Sequence, residues 1–166
     1  MGTALLLSFA GSQMMVPCSR YGPVDSKATV EGATVIVVAK AGAYVRRPEV
    51  QRRPDGEGVV RFTVREVLKG GGVPSELQIH GYLDDRDDFN DHPPPYHFVR
   101  PGGRAGSCFA GNYRRGATYL LLLQNRDGEW TVKWDPLAPV NEQLHSSQDP
   151  WVGWVRDQLT HVGAAK

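Results

Sequence analysis

Between residues 59 and 68, Val60, Phe62 and Val64 alternate with Arg61, Thr63 and Arg65. Side chains repeat every two residues only in an extended chain, so this segment predicts a strand with one face in a core and the other in water. Residues 75–83 alternate in the same way, with Leu77, Ile79 and Gly81 on one face. Two other runs are apolar without alternation. Residues 33–44 are rich in β-branched side chains (Thr34, Val35, Ile36, Val37, Val38), and residues 118–124 carry Tyr119, Leu120, Leu121, Leu122 and Leu123. Both predict buried strands. The Asp127-Gly128 turn signal leads into a fifth strand over 130–134, which makes a hairpin with its predecessor. Glycine and proline are spread along the whole chain, which suits short strands and turns better than long helices.

Two short stretches read as helical. Residues 24–31 have room for one or two turns. Asp149 followed by Pro150 supplies an N-cap and a proline at the first helical position. Trp151, Val155, Leu159 and Val162 then recur at helical spacing and would lay one face on the sheet. The 166 residues hold one domain. Five strands with so little covering material are most economically arranged as a small barrel, closed or partly closed. The division this suggests is a leader over residues 1–17, a mainly β barrel over 18–146 and a packed C-terminal helix over 147–166.

The long insertion between the third and fourth strands, residues 84–107, has no period. Pro93, Pro94, Pro95, Pro101, Gly102 and Gly103 exclude regular structure across much of it. Such a loop in a compact domain is usually functional or mobile. Asp84, Asp85, Asp87, Asp88, Asp91, His92 and His97 crowd it, and carboxylates with imidazoles can bind a divalent metal. The spacing matches neither an EF-hand nor a zinc-protease helix. Arg86, Arg100 and Arg104 lie among the acids, so a solvated loop with local ion pairs is the plainer reading. Tyr96, Phe98, Phe109 and Tyr113, with Arg100, flank the prolines. They form either an exposed contact patch for a partner or a cover over one end of the barrel.

Other constellations point away from catalysis. Ser107, His97 and Asp91 are catalytic residue types, but no serine sits in a nucleophile motif, and no cofactor is implied. Trp134, Trp151 and Trp154 read as a sugar platform or, at their spacing, as core. A net charge of +1 gives no field to draw in nucleic acid or an anionic membrane. Arg46, Arg47, Arg52, Arg53 and Arg61 then read as solvated surface. No apolar run approaches a membrane span. Leu5, Leu6, Leu7 and Phe9, followed by small residues at Ser8 and Ala10, resemble the end of a secretory signal; an N-terminal strand is the alternative. Export would place the protein outside the cell, in a periplasm or at the cell surface. Two cysteines in an exported chain, Cys18 and Cys108, suggest one bridge, worth about 4–5 kcal/mol through loop closure. Two unpaired thiols are the alternative if the chain is not exported.

Taken in order, several segments resemble the netrin-like OB-fold domains, the group that includes the tissue inhibitors of metalloproteinases. They are Cys18-Ser19-Arg20, Val35 to Lys40, the strand end Phe62 to Gly70 with its V-x-E-V-L-K-G pattern, Ser107-Cys108, Gly116 to Leu121, and Gly128-Glu129-Trp130. The match covers roughly residues 18–139 and would be that of a divergent, bacterial-type member. The resemblance implies a five-stranded OB barrel and a Cys18–Cys108 disulfide. The family's second cysteine pair is absent on both sides: Arg20 stands at one position and Lys133-Trp134-Asp135 at the other. It also implies the chemistry of the inhibitors, in which the amine and carbonyl of the first cysteine chelate a protease's zinc. That use requires Cys18 at the mature N-terminus, and Pro17 gives no good cleavage site. The function expected is therefore an exported binding module without a catalytic site. Its partner would be a protein, an extracellular protease among them, or a cell-envelope component, held by the long loop and neighbouring strand edges. The alternatives are inhibition through the Cys18 end, or metal binding by the acidic loop.

Overall fold

The computed structural model describes residues 22–48, 58–105 and 107–164. The protein is mainly β with a C-terminal helix. Strands β1 (Val35–Arg46), β2 (Val59–Lys69), β3 (Glu76–His80), β6 (Thr118–Arg126), β7 (Glu129–Val132) and β8 (Asn141–Leu144) make one sheet, and β4 (Tyr82–Asp84) and β5 (Asn112–Arg114) a short parallel ribbon. The helices are α1 (Ser26–Glu31), the single turn α2 (Pro101–Arg104) and α3 (Pro150–Ala164).

β1 is the centre of the sheet. It pairs antiparallel with β2 on one edge and with β6 on the other. Val35 to Ala39 of β1 and Tyr119 to Leu123 of β6 are all buried, which is why both runs are apolar without alternation. The β1–β2 ladder shifts register at four points, and such bulges bend and twist a strand pair. β2 alternates where it was expected to: Val60 and Phe62 are buried and Arg61 is exposed. In α3, Trp151, Val152 and Val155 are buried, and Arg156 reaches across to Glu66 of β2 at 2.7 Å. Asp149 caps α3 by accepting from the Trp151 amide at 2.9 Å.

The third strand breaks at Gly81. Its φ is +151°, and a Cβ there would come within 2.4 Å of the Gly111 carbonyl oxygen and 2.5 Å of the Tyr113 ring. Glycine is therefore required, and the break separates β3 from β4. The last strand is also interrupted. β7 and β8 occupy successive stretches of the same β6 edge. The chain between them leaves and returns at one residue: Lys133 N–H donates to Leu122 C=O, and Leu122 N–H donates to Val140 C=O.

Among the described residues the sheet thus has six strands, and it is not closed. β3 and β7 are its two ends, and their Cα atoms approach within 8 Å without forming a ladder. Further along the same seam, Phe89 makes a single parallel bridge to Gln143 of β8.

Candidate functional site

Residues 84–105 and 107–112 run as a strap over the bridged end of this seam, and the strap is fastened by buried polar groups. Arg100 is fully buried and bonds through four of its five N–H groups. Nε donates to Asn141 C=O at 3.1 Å, and one terminal nitrogen to Asp88 Oδ2 at 2.6 Å. The other donates to the carbonyls of Ala110 (2.7 Å) and Asn112 (2.8 Å). The guanidinium also lies over the rings of Tyr113 and Tyr119, at 5.7 and 5.4 Å from their centroids. Glu142 of β8, fully buried, accepts from Arg100 N–H at 3.2 Å and from Asn90 Nδ2 at 2.9 Å. Asn90 spends its second amide proton on Phe98 C=O. Gln143 accepts from the Asp88 amide and donates to Asp87. Burial drives the Glu142 carboxyl up to about 7, against the pull of Arg100 and the Asn90 bond.

At the far side of the strap lies a cleft of about 520 Å³. It is lined by His80, Gly81 and Tyr82, by Ser107, Phe109 and Asn112, and by Trp134. Phe109 is 37% exposed and meets Trp134 edge-on, with centroids 5.6 Å apart. Ser107 Oγ donates to Phe109 C=O and fixes the turn that presents the ring. A second cleft of about 580 Å³ follows the open stretch of the seam. Val45 and Arg46 of β1, Leu77 and His80 of β3, and Glu129 and Trp130 of β7 line it. His80 lines both clefts.

The residues singled out from the sequence divide sharply. Phe109 is exposed and Phe98 half-buried, as a contact patch requires. Tyr96, Arg100 and Tyr113 are instead buried: Tyr96 stacks on Trp151 at 4.9 Å, and Tyr113 packs edge-on against Phe62 at 4.9 Å. These three form the cover over one end of the core rather than a surface for a partner. Burial, with the negative charges of Asp149 and Glu142, holds the Tyr96 phenol at about 12.

The acidic residues are not gathered as metal ligands. Asp84 pairs with Arg86, Asp87 with Arg114, Asp88 with Arg100, and Asp91 with Arg104. His92 lies 3.6 Å from Asp91, and Asp85 is exposed. Bonds to the Arg86 and Asp85 amides, together with the Arg86 side chain, hold the Asp84 carboxyl below its ordinary range despite some burial. Among the described residues no three His, Cys, Asp or Glu side chains converge on a point that could hold a metal ion. Ser107, His97 and Asp91 are likewise dispersed: His97 Nδ1 sits 3.0 Å from Val24 C=O, and Asp91 is tied to Arg104. Trp151 and Trp154 stack on each other at 5.0 Å in the helix, with Trp151 in the core, while Trp134 faces the cleft.

Cys108 is not a free thiol. Cys18, the apolar N-terminal stretch, Arg52 and Arg53 lie outside the described residues. Among the described residues no helix is long and apolar enough to cross a membrane.

Sequence reasoning missed Asn90, Asn141, Glu142 and Gln143. The only local signal of the last three is a polar run between Val140 and Leu144 that lacks the glycine or proline of a turn. Apart from the His92 amide, from which Asn90 accepts two residues on, the side-chain partners of all four lie 8 to 56 residues away in the chain.

The chain matches no family model, and a search of curated proteins returns no match.

Proposed function

We propose that this protein is an exported binding module, an OB-type barrel left open along one seam, which holds an extended protein segment in the groove between β3–β4 and β7. The observation that carries the reading is the groove itself. Two strand edges lie side by side without a ladder, and half-exposed Phe109 and Trp134 stand beside the polar side chains of His80, Ser107 and Asn112. Aromatic surface with a few fixed polar groups is the usual lining of a ligand site. Its size suits a few side chains of a peptide.

The strand order supports the barrel and, with it, the netrin-like resemblance. β1 pairs with both β2 and β6, and β7 with β8 reads as one interrupted fifth strand. The Phe89–Gln143 bridge is parallel, the sense in which a third and fifth strand would close such a barrel. Export and a Cys18–Cys108 disulfide belong to the same reading. Binding is favoured over catalysis because the serine, histidine and aspartate that chemistry would need are each engaged elsewhere.

The test is selection of peptides from a random displayed library on the immobilised protein, followed by affinity measurement and amide-shift mapping. Binders should shift the amides of 80–82 and 107–112, and Phe109→Ala or Trp134→Ala should weaken them by roughly tenfold or more. Binders that leave these amides still and tolerate both substitutions would overturn the reading.

A further inference from the structure

The cleft beside Phe109 has a hydrogen-bonding bias that narrows what it can hold. Along 109–112 every backbone acceptor is already in use. Phe109 C=O accepts from the Gly111 amide and the Ser107 hydroxyl, and Ala110 C=O from Arg100 and from the Asn141 side chain. Gly111 C=O takes the Tyr82 amide, and Asn112 C=O takes the Arg100 guanidinium. Two side-chain donors are left over. The exposed Asn112 amide group and the half-buried Trp134 indole N–H make no hydrogen bond among the described residues. Among those residues no carboxylate, ammonium or guanidinium lines the cleft, so a charged side chain would lose water there without gaining a partner. Tyr82, Phe109 and Trp134 supply three rings, and the planes of Phe109 and Trp134 meet at 73°.

We infer that the segment held in this cleft is proline-rich and bound in the polyproline II form. The inference rests on the binding reading above and names the chemistry of its ligand. A β-strand ligand brings a row of N–H groups, each in need of an acceptor, and 109–112 has little acceptor capacity left. A proline has no N–H to satisfy, and its carbonyl still accepts. The polyproline II backbone makes no internal hydrogen bonds, so those carbonyls are open to nearby donors. Asn112 and Trp134 are such donors. The pyrrolidine rings would pack into the corner between Phe109 and Trp134, as the aromatic-lined grooves of other peptide-binding domains take prolines. The uncharged lining matches a ligand without charge. The bound conformation is also preformed in such a segment, so little freedom is lost on binding. A sugar fits less well, because each of its hydroxyls is a donor as well as an acceptor and meets the same shortage.

Two displayed peptide libraries of equal length test it, one with proline fixed at every third position and one without proline, both randomised elsewhere. Binders recovered from each on the immobilised protein are compared by affinity and by the amides they shift. Proline-containing binders should shift the amides of 80–82 and 107–112 and the Trp134 indole N–H. They should bind there about tenfold more tightly than proline-free ones. Replacing their prolines by alanine should cost about tenfold, whereas N-methylalanine, which also lacks an N–H, should cost much less. Trp134→Phe and Asn112→Leu remove the two donors and keep a ring at 134; each should weaken the proline binders by about three- to tenfold. Proline-free binders that hold the cleft as tightly, alanine replacements without cost, or affinities unchanged in both variants overturn the inference and leave the binding reading standing. If neither library yields a binder that shifts these amides, both fall. Should a variant fail to fold, the two libraries and the alanine replacements on the wild-type protein decide.

Discussion

At one end of the seam, Phe89 bridges Gln143, and Arg100, Asn90 and Glu142 are buried and Asp88 half-buried, with nearly every donor matched to an acceptor. At the other, β3 and β7 run within 8 Å of each other with no ladder, and Val45, Leu77 and Trp130 line an open cleft. The two ends close the same gap in different ways. The polar end costs desolvation and gives one unique arrangement, since each group fits only its own partner. The open end is lined by polar and apolar side chains together, without a ladder to fix its shape. A molecule that must stay folded and also hold something is well served by that division: rigidity where the strap is fastened, accessible aromatic surface where it is not.

Substitutions at the two ends should therefore differ by kilocalories. The largest effect belongs to Arg100→Met, which leaves Asp88 and the carbonyls of Ala110, Asn112 and Asn141 without their side-chain donor and removes the cation nearest to Glu142. A loss of about 3–5 kcal/mol is expected from urea unfolding. A loss under about 1 kcal/mol would mean that the polar end holds nothing together. At the junction between the ends, Gly81→Ala forces a Cβ onto Gly111 and Tyr113 at a φ of +151°. It should cost about 1–3 kcal/mol and lower the midpoint of thermal unfolding; an unchanged midpoint would show that the strand break can shift to make room. Smallest is Phe109→Ala at the exposed cleft, expected to change stability by about 0.5 kcal/mol or less by the same urea measurement. If it proves as costly as Arg100→Met, Phe109 is core and the contrast collapses.

How much of this could be read in advance depended on whether the signal was local. Val60, Phe62, Leu77 and Ile79 announce their strands because a two-residue period needs no knowledge of the partner strand. Asp149-Pro150 announces α3 for the same reason. β8 was not legible: Asn141, Glu142 and Gln143 are polar residues whose burial makes sense only once Arg100 and the strap lie on top of them. The strap was judged irregular from its prolines, yet Pro101 is the first residue of a helical turn, since proline is tolerated where an amide has no helical partner. Phe109 and Trp134 were both picked out. What the chain alone did not say was that Tyr96 and Tyr113, equally aromatic and equally near the prolines, turn inward. Tyr113 is held inward by Phe62 and the Arg100 guanidinium, and Tyr96 by its stack on Trp151, partners that only the folded chain brings together.

The interruption between β7 and β8 has one more consequence. Because the chain departs from and rejoins β6 at the single residue Leu122, the rungs on either side stay in step whatever lies between. Residues 134–139 can thus be lengthened, shortened or exchanged without shifting the inward and outward sense of Asn141 to Leu144. Yet this same excursion carries Trp134 into the cleft and touches the strap through Leu137. Variation there would change the lining of the cleft while the register of β8 on β6 is kept.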